Sequence, residues 1–313
     1  MAKYRILSLD GGGIRGVMTI RLIERIQAEL PWFMESIDLI AGTSTGGILA
    51  LALAAGKTPS EVREMYELLG KSVFSNNPIE IREITKMISA DYSNNPLRKS
   101  LAGVLGDQKL GNLGKKVLIT TFDLDNLVSL PQRPRTWKAK FFHNFLEPGK
   151  TQDDREELAV DVAIRTSAAP TYFPLYQGYV DGGVVANNPC MCAVAQALNR
   201  ATGHQKLSDL TVFSMGTGNF PHYLLENDNS WGLVQWAPHL ISLMLEGGQG
   251  LADYQASQLL GNRYYRLNPV LQKNVELDQV QEIPFLIDIA NLEVLDPVIS
   301  WLKKNFKPTT RPV

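Results

Sequence analysis

Cysteine is scarce in this 313-residue chain: there are two, Cys190 and Cys192, separated by a single residue. They build neither a disulfide framework nor a zinc site, and they suit a reducing compartment. A surplus of one charge is also lacking. Lys and Arg total 31 against 32 Asp and Glu, a formal net charge of -1. An electrostatic nucleic-acid binder carries a basic surplus or patch instead, so no nucleic-acid partner is expected. The opening residues, Met1-Ala2-Lys3-Tyr4-Arg5, lead into a strand-like run without the apolar stretch of a signal peptide. A cytoplasmic location is therefore expected, with peripheral membrane contact as a further expectation. Long uncharged runs are few. Leu39–Gly56 is one, but its glycines, threonines and serine suit a transmembrane helix poorly, since that needs about 20 predominantly apolar residues. A buried strand, a sharp turn and a buried helix is the better parse.

What is present is enough apolar side chain for a core, 44% of residues, which excludes disorder. Tyr4–Leu9, Ile37–Ala41, Val117–Phe122, Tyr179-Val180, Thr211–Met215 and Tyr264–Leu267 read as short strands. Between them lie helical segments: Val17–Leu30, Gly46–Ala55, Thr58 to about Phe74, Val160–Ser167, Pro189–Arg200, Val234–Leu260 and Pro297–Phe306. Thr58-Pro59-Ser60-Glu61 has the spacing of a capping box. Residues 75–112 are turn-rich and read as an excursion of small helices, a candidate cap or lid bearing Met87, Ile88, Leu97 and Leu101. Leu130–Gly149 reads as irregular. Strands alternating with helices predict an α/β fold: a three-layer sandwich with a mostly parallel central sheet, helices on both faces and a small helical cap excursion. With no repeat, low-complexity tract or compositional break, residues 1–313 are read as one domain, its motifs lying in 4–220.

Three motifs follow predicted strands. Gly42-Thr43-Ser44-Thr45-Gly46 fits G-x-S-x-G, a serine on a tight strand-to-helix turn whose helix N-terminus favours negative charge. The bland alternative is a turn serine that caps the helix. Asp10-Gly11-Gly12-Gly13-Ile14-Arg15-Gly16 offers bare backbone N–H groups for an oxyanion hole. Gly11, Gly13 and Gly16 also match the dinucleotide fingerprint, with Glu35 or Asp38 as the acidic partner. Both loops would emerge at one carboxyl edge of a parallel sheet, which favours the oxyanion alternative. Asp181-Gly182-Gly183 places an acid at a strand end, a pattern that by itself reads as a turn. The base for the serine is either a histidine, His222 being placed to satisfy the order Ser44, Asp181, His222, or Asp181 itself, if burial raises its pKa.

Together these motifs resemble the patatin-like phospholipase family: the glycine loop Asp10–Gly16, the elbow Gly42–Gly46 and the Asp181-Gly182-Gly183 box. Thr166-Ser167-Ala168-Ala169-Pro170-Thr171-Tyr172-Phe173-Pro174, Asn187-Asn188-Pro189 and Ser214-Met215-Gly216-Thr217-Gly218 extend the similarity. The resemblance implies a Ser-Asp dyad: Ser44 as nucleophile, Asp181 as base, and the amides of Gly11, Gly12 and Gly13 as oxyanion hole, with Arg15 and Gly16 supporting the loop. It implies hydrolysis of lipid acyl esters at a membrane or lipid surface, by a phospholipase A or lysophospholipase type of reaction, without metal, cofactor or calcium. Acyl transfer on the same dyad, a Ser-His-Asp triad through His222, a dinucleotide-binding protein and a non-catalytic lipid-binding module are the alternatives. Trp231, Trp236, Leu240, Leu243 and Met244 form an aromatic-apolar stripe. Its periodicity reads first as a helix packed on the sheet, with contact with a membrane as the alternative for a lipid hydrolase.

Overall fold

The computed structural model describes residues 4–73, 93–126, 135–147, 149, 153–221 and 231–307. Its strands are β1 (Tyr4–Leu9), β2 (Leu39–Thr43), β3 (Lys116–Asp123), β4 (Lys138–His143), β5 (Tyr179–Asp181), β6 (Leu210–Met215) and β7 (Tyr264–Leu267). They form one sheet in the order β4-β3-β2-β1-β6-β7, with β5 paired to β3 off that path. β1, β2, β3, β6 and β7 run parallel, whereas β4 and β5 run antiparallel to β3.

Side chains alternate across a strand, and in this sheet both sets are apolar. Leu7, Leu9, Ile40, Val117, Ile119, Phe213 and Met215 bury in one core. Ile6, Leu39, Ala41, Leu118, Leu210 and Val212 bury in another. A sheet apolar on both faces has to be covered on both. The first face is covered by α1 (Gly16–Glu29), α2 (Thr45–Ala54), α3 (Pro59–Val73), α4 (Asn94–Leu105) and α5 (Ala159–Ser167). After a single turn, α6 (Gly183–Ala186), the second face is covered by α7 (Cys190–Leu198) and α8 (Leu233–Leu260). The chain then returns to the first face with α9 (Ile283–Leu292) and α10 (Asp296–Asn305). The result is the three-layer α/β sandwich expected from the sequence.

The uncharged stretch Leu39–Gly56 is β2 followed by α2, and every residue of α2 is buried, which accounts for the missing charge. Among the described residues no helix is long and apolar enough to cross a membrane. Helix α3 opens as its spacing predicted: the Thr58 N–H donates to Glu61 Oε2 at 2.7 Å, and the Glu61 N–H donates back to Thr58 Oγ1 at 3.2 Å.

Three expectations change. The part of 130–149 read as irregular contains β4, an edge strand whose polar Lys138 and Lys140 hide its alternation. Of the candidate cap, 75–92 with Met87 and Ile88 lie outside the described residues. In the remainder, Leu97 and Leu101 of α4 are 6% and 0% exposed. Leu101 therefore belongs to the core and faces no lipid. Finally, the stripe on α8 does not pack on the sheet: exposure runs from 40% at Trp236 to 57% at Met244, through Leu240 and Leu243. The side of α8 that packs inward is made by Ala252, Ala256 and Leu260, in its second half.

These two faces predict opposite outcomes. Leu101→Ala should lower the unfolding free energy by about 2–5 kcal/mol through the cavity it leaves. Leu243→Ala should change it by less than about 0.5 kcal/mol. Urea denaturation of the two variants beside the parent measures both.

Candidate active site

β2 and β5 approach the same edge of β3 from opposite directions. β2 makes its last pairing at Thr43 with Thr120, and β5 pairs Asp181 with the next residue, Thr121. β4 already occupies the other edge of Leu118–Asp123, so β5 takes the place that β2 vacates. The ends of the two strands abut, and each carries one candidate residue: Ser44 directly after β2 and Asp181 at the end of β5.

Ser44 has φ 53° and ψ −122°, a left-handed conformation rare outside glycine and costing about 1–3 kcal/mol. The turn is tight because α2 starts hard against the end of β1. A Cβ at Gly46 would strike the carbonyls of Leu9 and Asp10, so glycine is required there. A buried threonine cluster holds the elbow from below. The Ser44 N–H donates to Thr166 Oγ1 at 2.9 Å, and that hydroxyl donates to the Thr120 carbonyl at 2.6 Å. The Thr43 hydroxyl lies 2.7 Å from that of Thr120 and donates to the Ala186 carbonyl at 2.6 Å. Thr166 also fixes the other partner, since its carbonyl accepts the Gly182 N–H at 3.2 Å.

The Asp181 carboxylate accepts the Gly183 N–H at 2.7 Å and the Ser44 hydroxyl. Burial lifts its pKa to about 6, and the hydrogen bonds from Ser44 and Gly183 oppose that rise. Desolvation disfavours the charged form, so the carboxylate becomes a stronger base than a solvated aspartate.

The glycine loop is anchored at Asp10, which is fully buried. The Asp10 N–H donates to the Met215 carbonyl at 3.0 Å, and its carboxylate accepts Arg266 Nη2 at 2.6 Å. The expected three-amide cradle needs correction. The Gly11 N–H is already donated to the Asn187 carbonyl at 3.1 Å, which leaves the amides of Gly12 and Gly13. Among the described residues neither donates to a protein acceptor. The loop is braced from outside: the Gly11 carbonyl accepts Thr217 Oγ1 at 2.9 Å, Arg15 Nε donates to the Gly12 carbonyl at 3.3 Å, and the Ile14 N–H donates to the Leu277 carbonyl at 2.8 Å. Gly16 lets α1 approach α2, because a Cβ there would meet Thr45.

Ser44, Asp181 and Gly11–Gly13 all line one cavity of about 130 Å³. Its walls are mostly apolar, with Ile48, Leu97, Phe173, Met244 and Leu277 among them. None of His143, His204 and His239 lines it, and His222 lies outside the described residues. The acidic partner of the dinucleotide alternative is misplaced. Asp38 stands before β2 and accepts the Arg5 N–H at 2.7 Å, at the edge of the parallel sheet opposite the glycine loop. Sequence reasoning gave no role to Thr166, Asn187, Thr217 or Arg266. The first three lie in segments already singled out, whereas Arg266 sits in β7 with no motif to mark it.

This geometry is that of a serine elbow facing an acid and a glycine loop on an α/β sheet, and comparison with known proteins supplies the family. A family model described as patatin-like phospholipase matches residues 7–194. Along its length the chain is 31% identical to the putative sporulation hydrolase CotR of Bacillus subtilis, over 98% of this chain and 99% of that protein. It is 36% identical to a cGAMP-activated phospholipase of Vibrio cholerae over 69% of this chain and 64% of that protein. Among solved structures, the ExoU–SpcU complex from the type III secretion system of Pseudomonas aeruginosa aligns with 97% of this chain and 52% of that chain, at 14% identity and a TM-score of 0.45. The chain belongs to the patatin-like phospholipase family, and this membership supports lipid acyl hydrolysis as its chemistry.

The threonine cluster generates a stability prediction. Thr166→Val leaves the Ser44 N–H and the Thr120 carbonyl unpaired in a buried place, a loss of about 1–3 kcal/mol. Thr166→Ser keeps both bonds and should retain most of that stability. Thermal denaturation of the pair, with native-like circular dichroism as a control, reads the difference.

Proposed function

We infer that the protein is a lipid acyl hydrolase of phospholipase A or lysophospholipase type that works through a Ser-Asp dyad and an acyl-enzyme. The observation that carries this is the contact between the Ser44 hydroxyl and a desolvated Asp181 carboxylate, in an apolar cavity also lined by Gly12 and Gly13, whose amides have no protein acceptor among the described residues.

The ester carbonyl lies against Ser44 with its acyl chain along the apolar walls. Ser44 Oγ attacks the carbonyl carbon as its proton passes to Asp181. The charge that develops on the carbonyl oxygen is met by the N–H groups of Gly12 and Gly13, and losing one such donor costs about 3–4 kcal/mol of barrier. Arg15 keeps the loop in shape through the Gly12 carbonyl. The tetrahedral intermediate collapses, Asp181 returns the proton to the departing alcohol, and the acyl group stays on Ser44. Water then gives a proton to Asp181 as its oxygen attacks the acyl carbon. The second tetrahedral intermediate collapses, the bond to Ser44 Oγ breaks, Asp181 returns the proton to that oxygen, and the fatty acid is released. An elevated carboxyl pKa favours both proton transfers, because a base is most effective when its pKa lies near the working pH.

Ser44→Ala and Asp181→Asn should each abolish release of p-nitrophenol from a p-nitrophenyl acyl ester while leaving the fold intact. Mass spectrometry after fluorophosphonate treatment should find the adduct on Ser44. Asp181 must be ionised to act as base, so kcat/KM for the soluble ester should fall as pH drops through about 6. A histidine would titrate nearby, so His222→Ala separates the two bases. Retained activity fits the dyad, and its loss transfers the role to a triad.

A further inference from the structure

Spacings of four, three, eight and three residues bring Trp236, Leu240, Leu243, Leu251 and Tyr254 to one side of α8, with Gly247 and Gly250 on that side between Leu243 and Leu251. The first three belong to the exposed stripe described above, and it continues through Leu251 and Tyr254, which are 58% and 63% exposed. From Trp236 to Tyr254 the stripe extends about 27 Å at 1.5 Å per residue. No charged side chain falls on it. The charged residues of the helix are two acids, Glu246 and Asp253, and the spacing sets both off to one side. Soluble proteins rarely leave so long an apolar face bare without a partner for it.

Two features identify the partner. The stripe borders the catalytic cavity: Met244, 57% exposed beside Leu243, also lines the space that holds Ser44 and Asp181. An acyl chain sliding from a lipid layer at this face would reach the cavity along Met244 without crossing polar surface. The stripe is also bounded by Trp236 and Tyr254, residue types whose amphipathic rings settle at a membrane–water boundary. We propose that this face of α8 seats the protein on a zwitterionic lipid bilayer and opens the cavity of the same site toward its acyl chains. The seat works by insertion of apolar side chains and not by attraction to anionic head groups, because α8 contains no Lys or Arg. The role in catalysis rests on the hydrolase reading of Ser44 and Asp181; the binding itself does not.

The test uses the full chain carrying Ser44→Ala, so that vesicles survive, in flotation with phosphatidylcholine vesicles. The Ser44→Ala protein should float with the vesicles, equally at low and high salt. Adding Leu240→Glu with Leu243→Glu should weaken binding at least tenfold, and Leu240→Ser with Leu243→Ser should weaken it in the same direction if the glutamates disturb folding. In the active enzyme the same pairs should lower phosphatidylcholine hydrolysis in vesicles at least tenfold, with p-nitrophenyl butyrate turnover unchanged. Vesicle binding unaltered by either pair overturns the proposal, as does a Ser44→Ala protein that never floats. A parent that sediments as a dimer while the variants are monomers also overturns it, assigning the face to a second copy of the chain. Absence of soluble-ester turnover in the parent would count against the dyad and leave the flotation result standing.

Discussion

A carboxylate with little water around it rests against a serine hydroxyl, and much of the carboxyl edge of the sheet serves to hold that contact. Asp181 is nearly buried, and burial of an acid is unfavourable for its charged form. The Ser44 hydroxyl and the Gly183 N–H offset part of this, and the remainder persists as an elevated pKa. The same desolvation that makes the charge costly makes the carboxylate more basic than a solvated one. The contact therefore has to be imposed by surrounding structure. β2 brings Ser44 forward along β3, β5 brings Asp181 back along it, and Thr166 bonds to both arrivals as well as to β3 itself.

The glycine loop depends on a different set of restraints. Its first residue, Asp10, is tied to β6 through Met215 and to β7 through Arg266, which also donates to Ser214 at 2.8 Å. Burial works against the Arg266 charge, but the neighbouring Asp10 outweighs it and raises its pKa. An ion pair sealed in this way is costly to break from either side. It fixes where the loop leaves the sheet, while Asn187 and Thr217 fix the orientation of Gly11. Gly12 and Gly13 line the cavity with amides that have no protein acceptor among the described residues, whereas the Gly11 amide is used to hold the loop.

Much of this was legible in the sequence where local rules and global packing agree. β1 and β2 are short apolar runs followed by glycine-rich turns, so their parallel pairing and shared edge could be read directly. The Thr58–Glu61 box was equally legible, since its chemistry is entirely local. The family motifs mark Ser44 and Asp181 as candidates within the sequence itself. What was not legible depends on partners distant in sequence. β5 has three residues, too few to declare a direction, and its antiparallel course is set by the vacancy beside Thr121. The Gly11 amide is consumed by Asn187, 176 residues away, which no pattern around Gly11 could announce. The stripe on α8 has the periodicity of a packed helix, and periodicity says that a face is apolar without saying what covers it. In α4 the error ran the other way, because Leu101 looked available for lipid and is fully buried.

The brevity of β5 has a kinetic consequence. Three residues paired to one edge form a small cooperative unit, and such units can open at a fraction of the free energy needed to unfold the domain. When β5 lifts from β3, Asp181 leaves its dry place, regains solvent and parts from Ser44, while the remaining strands stay in register. On the Ser-Asp reading proposed above, loss of chemical competence and loss of architecture are thereby separable events. On warming or in mild denaturant, a population would accumulate that is folded by spectroscopy and silent toward substrate, and cooling would return it to service without refolding the core.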